Sequence, residues 1–175
     1  PLKIALPEIR LTLLESTAKK AVFLQHLTER LGLVDVEIVT GRSEEAAHDE
    51  HYREQFEVVL SRGVSPLPSL VELCLPFCAV GGRFIAHKKG DISDEVERAA
   101  NAIKLMGGSV PEVEKIELEE LADNRCLVVI DKILPTPLMY PRRPGMPAKH
   151  PITQEPVPGS LNKVQIHFRE TSLLL

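Results

Sequence analysis

The chain has 175 residues, of which 43% are hydrophobic and 26% are charged, and its formal net charge is -4. This length suits one domain with its own core, and this composition excludes a disordered or fibrous protein. No apolar run reaches the roughly 18 residues that a membrane span requires, and residues 1–10 lack the pattern of a secretory signal. We therefore predict a globular, cytoplasmic protein with no membrane span.

Charge and proline content divide the chain near residue 134. Residues 1–134 carry a net charge of -7, residues 135–175 carry +3, and eight of the 14 prolines fall in the first 24 residues of the basic part. Proline at this density removes backbone donors and fixes φ, so we expect an extended surface tail that is neither a helix nor a central strand. We predict a folded domain at 1–134, a basic proline-rich tail at 135–152, and an extension of unassigned role at 153–175.

Before this boundary the hydrophobic period alternates between two and 3.6 residues. Such alternation predicts strands that alternate with helices and form a mostly parallel sheet. The helix at 17–33, for example, places Ala21, Leu24, Leu27 and Leu31 on one stripe. The predicted strands are 9–16, 36–41, 56–63 and 82–90, and the predicted helices are 17–33, a short one at 43–55, 66–78 and 92–108.

Two further apolar runs close the domain, at 112–121 and 125–133. The turn residues Asp123 and Asn124 separate them, which predicts an antiparallel hairpin. A strand–helix repeat that ends in such a hairpin resembles the α/β sheet of class I S-adenosylmethionine-dependent methyltransferases, a Rossmann-like fold whose last strand is inserted antiparallel. Dinucleotide-binding dehydrogenases share the first half of this order, so the order of elements alone leaves both classes open.

Polar side chains follow three of the predicted strands. Glu15 ends the first, where a carboxylate can accept hydrogen bonds from both hydroxyls of a ribose; the alternative is an exposed carboxylate that favours the start of the next helix. Ser43 and Glu44 follow the second strand, at the position that contacts adenine in such folds, and Ser43 is also a good helix N-cap. Arg62 follows the third strand and is expected to face the cleft where substrate and methyl donor meet, because arginine there rarely serves packing.

Other polar clusters have simpler interpretations. Cys74, Cys78 and Cys126 are odd in number, and the first two lie one helical turn apart in an apolar stretch, which indicates reduced, buried thiols. His48 and His51 fall on a polar helix beside acidic residues, so we interpret them as a solvated face and expect no metal. The sequence contains neither a nucleophile elbow nor a P-loop, which disfavours a hydrolase or a kinase.

The tail follows the pattern T-P-x-x-Y-P-R-R-x-G-x-P-x-K-x-P from Thr136 to Pro151. This pattern resembles the closing signature of the RsmG family, also called GidB, whose members methylate N7 of a guanine in bacterial small-subunit (16S) ribosomal RNA. The resemblance covers about residues 1–152. Further segments that resemble successive motifs of this family are LTLLESTAKK, GRSEE, FEVVLSRGVSPLPSLVELCLP, GGRFIAHKKG and AIKLMGG.

The resemblance implies S-adenosylmethionine as methyl donor, small-subunit ribosomal RNA as partner, and a monomer. It implies no catalytic proton-transfer residue, because the N7 lone pair of guanine carries no proton and the site must only position the reactants. In the family that this chain resembles, aspartate is commoner than glutamate at the position that matches Glu15. The residues that match cofactor-binding positions are Glu15, Ser16, Thr17, Ser43, Glu44 and Arg62, and those that match positions expected near RNA are Arg142, Arg143 and Lys149.

The glycine-rich cofactor loop and the first strand of the family have no counterpart in these residues, so we expect an amino-terminally truncated chain. The first strand of a class I sheet would lie between the predicted strands 9–16 and 56–63. Two outcomes are therefore open: those two strands stay apart with an open slot between them, or the two halves of the sheet close and the strands pair directly. A second hypothesis remains open, in which the chain is a non-catalytic module that binds RNA or the ribosome through a methyltransferase-like fold.

Overall fold

The computed structural model describes residues 1–116 and 124–153. The predicted strands and helices occur in the predicted order, with most boundaries shifted by a few residues. The predicted helix at 43–55 is helical only at Ser43–Ala46, and the short helix at Leu2–Ala5 was not predicted. The carboxyl end of the first predicted hairpin strand and the residue Asp123 of its turn lie outside the described residues. The elements are α1 (Leu2–Ala5), β1 (Leu11–Glu15), α2 (Ala18–Arg30), β2 (Val36–Thr40), α3 (Ser43–Ala46), β3 (Phe56–Arg62), α4 (Leu67–Cys74) with a 3-10 turn (Leu75–Phe77), β4 (Cys78–Lys89), α5 (Ser93–Leu105), β5 (Glu112–Ile116), β6 (Arg125–Asp131) and α6 (Met146–Lys149).

The strands form two sheets. β1 and β2 pair in parallel, with Glu15 opposite Thr40 at their carboxyl ends. The larger sheet has the order β3-β4-β6-β5, in which β3 and β4 are parallel. β6 is inserted antiparallel between β4 and β5, which confirms the predicted antiparallel pairing of the last two strands.

β1 and β3 do not pair with each other within the described residues. Residues 2–5 form the helix α1, so they do not supply a strand between β1 and β3. Each of these two strands therefore has one edge without a strand partner in the described part of the chain, as expected for the open arrangement and not for direct pairing.

The main core lies between the larger sheet and the helices α4 and α5. In β6 the alternating residues Cys126, Val128 and Ile130 are buried, as expected for a strand with one face on the core. In α5 the buried residues recur at helical spacing and include Val96 and Ile103. The smaller β1–β2 sheet contributes no residue to this core cluster.

The predicted apolar stripe of α2 is only partly covered. Ala21 is buried, but Leu27 and Leu31 are 39% and 49% exposed. Among the described elements the helix packs mainly on the two-stranded sheet of β1 and β2, which is too narrow to cover the whole stripe.

The tail lies on the domain, and one part of the prediction for it is wrong. Met146–Lys149 form a helical turn, α6, that begins after Gly145, whose φ is +84°. Proline is tolerated there because Pro147 lies in the first turn, where its missing N–H has no partner to lose. No helix in the described residues is both long and apolar enough to cross a membrane.

Candidate active site

Each of the predicted cofactor residues lies at, or just after, the carboxyl end of a strand that is paired in parallel. Glu15 ends β1, Ser43 begins the helix that follows β2, and Arg62 ends β3. The carboxyl ends of parallel strands are where α/β folds bind nucleotides, so each of these positions suits a cofactor contact.

Glu15 is a partly exposed carboxylate held in a defined orientation. Its Oε1 accepts a hydrogen bond of 2.8 Å from the backbone N–H of Thr17, and its Oε2 lies 4.0 Å from Nζ of Lys20. The bond from Thr17 lowers the pKa of Glu15 below its usual value, so the carboxylate is ionised at neutral pH. Ser16 and Thr17 are exposed beside it. An ionised carboxylate in this position can accept two hydroxyl donors.

Ser43 and Glu44 are turned toward the interior. Ser43 is the first residue of α3 and does not cap it; its hydroxyl donates to the backbone oxygen of Leu73 at 2.5 Å. Glu44 is buried, and its Oε1 accepts a bond of 2.8 Å from the backbone N–H of Gly145 in the tail. Both side chains therefore attach α3 to its neighbours.

The side chain of Arg62 is exposed and makes no hydrogen bond or ion pair within the described residues. The loop that follows it is tied down. Nζ of Lys88 donates to the backbone oxygen of Ser65 at 3.0 Å and lies 2.6 Å from Oε2 of Glu95, which also accepts the N–H of Leu67. A charged side chain at the end of a restrained strand and loop is available to bind a ligand.

The three basic residues of the tail are in different environments. Arg142 makes a bidentate ion pair with Glu72, with a shortest N–O distance of 2.7 Å, and this pairing raises the pKa of Arg142. Arg143 and Lys149 are exposed. Only these last two have guanidinium or ammonium groups open to a ligand.

Sequence reasoning missed a buried cluster that fixes the start of the tail. Lys132 is fully buried; its Nζ lies 3.2 Å from Oε1 of Glu54 and donates to the hydroxyl of Thr136. Arg53 donates to the backbone oxygens of Thr136 and Tyr140 at 2.8 and 2.9 Å. No local pattern could have revealed the cluster, because its partners lie about 80 residues apart in the chain.

All three cysteines are free thiols; Cys78 and Cys126 are buried as predicted, whereas Cys74 is partly exposed. Burial raises the pKa of Cys78 to about 12 and also raises those of Cys74 and Cys126, so the thiols are protonated at neutral pH.

His48 contacts the backbone oxygen of Pro141 through Nε2 at 2.8 Å. The described residues contain no group of three His, Cys, Asp or Glu side chains that could hold a metal.

Solved structures with the same arrangement identify the fold. The chain matches a predicted O-methyltransferase from Agrobacterium tumefaciens with a TM-score of 0.58 at 15% identity, over 74% of this chain and 65% of that one. It matches PigF with SAH with a TM-score of 0.53 at 17% identity, over 75% of this chain and 46% of that one. Together with the antiparallel insertion of β6, these likenesses define a class I S-adenosylmethionine-dependent methyltransferase fold.

Sequence comparison narrows this class to a family. The GidB family model, described as rRNA small subunit methyltransferase G, matches residues 1–124. Relatives described as Ribosomal RNA small subunit methyltransferase G are 55% identical in Dehalococcoides mccartyi strain CBDB1 and 51% identical in Roseiflexus castenholzii, each over 87% of this chain. The chain belongs to the GidB family. It spans 65% and 64% of the lengths of these two relatives.

Proposed function

We propose that this chain contributes to methyl transfer from S-adenosylmethionine to N7 of a guanine in small-subunit ribosomal RNA. Family membership and the position of Glu15, Ser43 and Arg62 at the ends of parallel strands support the proposal. The observation that carries it is the exposed guanidinium of Arg62 at the carboxyl end of β3, which has no partner among the described residues, because the GidB match includes this segment.

The residues at these strand ends suit the methyl donor. The ionised carboxylate of Glu15 can accept hydrogen bonds from both ribose hydroxyls, and Ser16 and Thr17 lie beside it. Ser43 and Glu44 would contact the adenine side through the α3 backbone, because their side chains are already bound within the protein. When bound, the donor supplies an electrophilic methyl group on a sulfonium.

Arg62 would bind and orient the reactants, and no residue need remove a proton because guanine N7 carries none. Rate then depends on holding the acceptor nitrogen in line with the methyl group. The acidic domain and the basic tail imply that RNA is bound locally, through phosphates at Arg143, Lys149 and the cleft.

We further propose that the protein acts as a monomer in the cytoplasm, which light scattering and cell fractionation would test.

Methylation of purified small ribosomal subunits tests the proposal. The protein would be assayed as the chain alone and as a chimaera joined to the amino-terminal part of the Dehalococcoides relative, which would supply the expected glycine-rich loop. We expect the chimaera to form N7-methylguanine, detected by borohydride and aniline cleavage of the RNA. Absence of methyl transfer, combined with tight RNA binding, would favour the non-catalytic RNA-binding alternative instead.

Replacement of Arg62 by alanine in the chimaera should lower methylation at least a hundredfold while the fold is retained, because a methyl group cannot replace charge-assisted contacts. The matched control is Arg98→Ala, since the side chain of Arg98 is also exposed and makes no hydrogen bond or ion pair in the described residues. Equal methylation by the Arg62→Ala and Arg98→Ala variants would contradict the role assigned to Arg62.

A further inference from the structure

Two carboxylates of the domain hold the part of the tail on either side of Arg143. Glu72, in α4, is fully buried, and its two oxygens accept four hydrogen bonds of 2.7 to 3.2 Å from the backbone and guanidinium of Arg142. Glu44, in α3, accepts the N–H of Gly145 at 2.8 Å. The tail is therefore attached at both sides of the turn that contains Arg143.

The bond to Glu72 is the stronger of the two attachments. Within the described residues every hydrogen bond to the Glu72 carboxylate comes from Arg142. The rest of α4 buries mainly apolar side chains. A buried carboxylate without its partner is strongly destabilising, so release of the tail would leave an uncompensated charge inside the domain.

Arg142 also fixes the far end of the same loop. Its guanidinium donates to the backbone oxygen of His150 at 2.7 Å. The helical turn α6 between them is closed by backbone bonds from Lys149 to Gly145 and from His150 to Met146. The exposed side chains of Arg143 and Lys149 thus project from a loop whose two ends meet at one buried anchor.

We propose that Glu72 and Glu44 are positioning residues, which act through Arg142 and Gly145 to hold Arg143 and Lys149 in the orientation that binds RNA. In this arrangement Arg142 is the anchor of the tail. The inference rests on the proposed function for its RNA ligand, but the anchoring itself can be tested without RNA.

Limited trypsin digestion of the chain tests the anchoring. The bond between Lys149 and His150 is read by mass spectrometry, because Arg143 is followed by proline and is not cut. We expect Glu72→Gln to accelerate this cleavage at least tenfold, equivalent to about 1.4 kcal/mol. Glu44→Gln, which weakens a single bond, should give a smaller acceleration.

The matched control for both variants is Glu97→Gln, because Glu97 is an exposed helical glutamate with no side-chain hydrogen bond or ion pair among the described residues. Amide exchange in β4 and β6 checks that the core is still folded. Cleavage as slow in Glu72→Gln and Glu44→Gln as in Glu97→Gln would overturn the anchoring.

Binding of the chain to small-subunit ribosomal RNA tests the positioning. We expect Glu72→Gln to lower the affinity at least fivefold. Combined replacement of Arg143 and Lys149 by alanine should lower the RNA affinity much less in the Glu72→Gln background than in the wild type. The reason is that a released tail no longer holds these two side chains in the orientation that binds RNA. If the effect of Glu72 were purely structural, the double replacement would lower the RNA affinity by the same factor in both backgrounds.

The outcomes separate this inference from the proposed function. Fast cleavage with unchanged RNA affinity, or fully additive losses, would overturn the positioning role while leaving methyl transfer intact. Failure of the wild-type chain to bind the RNA would overturn both the proposed RNA ligand and the positioning, whereas the trypsin result would still decide whether Glu72 and Glu44 anchor the tail.

Discussion

Lys132 is a charged side chain in the interior of the domain. Its Nζ donates to the backbone oxygens of Leu75 and Met106 at 3.1 and 2.8 Å and pairs with Glu54. Burial lowers the pKa of Lys132, while the negative charge of Glu54 opposes that shift. A buried lysine with these partners ties the start of the tail to the 3-10 turn and to the end of α5.

The lowered pKa of Lys132 predicts a pH dependence of stability. Between its value in the folded protein and the unfolded value of about 10.4, the unfolded chain binds more protons, so the free energy of unfolding rises with pH. The variant Lys132→Met lacks this titrating group. We therefore expect the unfolding free energy of the wild type to rise relative to that of Lys132→Met as pH is raised from 7 toward about 10.4. Urea unfolding at several pH values measures this difference, and a constant difference would contradict the shift.

A glycine, Gly107, ends the helix α5 and lets the chain turn toward the next strand. Gly107 follows α5 with φ +79°, and its backbone oxygen accepts hydrogen bonds from Ile133 and Leu134. A Cβ at Gly107 would lie 2.0 Å from the backbone oxygen of Leu134. The chain therefore needs glycine there both for its conformation and for a close backbone approach.

Gly90 offers a matched comparison, because its φ is +74° but no atom lies within 4 Å of its Cβ position. We expect Gly90→Ala to lower the free energy of unfolding by about 1 kcal/mol, from the left-handed conformation alone. Gly107→Ala should lower it by about 3 kcal/mol, since the backbone of Leu134 must also move. Urea titration of both variants checks this, and equal losses would mean that the close approach is relieved without cost.

Most elements could be predicted because their signals are local. The buried alternation in β6 and the helical spacing in α5 depend on neighbours within one or two turns. The turn α6 was missed because proline density was interpreted as excluding any helix, whereas proline in a first turn is compatible with one. Coverage of α2 could not be predicted, because it depends on how many strands lie beneath the helix.

At the scale of the whole molecule, apolar burial is uneven. The main core cluster is formed by residues between Leu67 and Ile130, whereas α2 has only Ala21 buried. On α2 and next to it, Val22, Phe23 and Val34 are each more than 60% exposed. The β1–α2–β2 unit is therefore held by fewer apolar contacts than the β3–β6 sheet.

This distribution predicts local unfolding. Regions with few buried apolar contacts open at a lower free energy than the core, so backbone amides of β1, α2 and β2 should exchange at least tenfold faster than those of β4, β6 and α5. Hydrogen exchange followed by mass spectrometry measures the difference in the free chain. Uniform protection across both units would show that the β1–α2–β2 unit is as stable as the main core.

The candidate site was partly predictable from sequence. Glu15 and Arg62 could be placed at strand ends because a strand boundary is a local signal, and the structure has them there. The environment of Arg142 could not be inferred, because exposed and buried arginines look alike in a proline-rich segment. Its assignment near RNA stays a prediction beside the anchoring that the structure shows.

The sequence by itself determined the family, the order of strands and helices, and the strand ends that carry Glu15 and Arg62, because motifs and hydrophobic periods are written in consecutive residues. Only the tertiary structure decided that Glu72 pairs with Arg142 and Glu44 with Gly145. These partners lie 70 and 101 residues apart, and such contacts exist only once the path of the tail over the domain is known. A buried carboxylate must find a donor wherever the fold brings one, and sequence spacing says nothing about where that is.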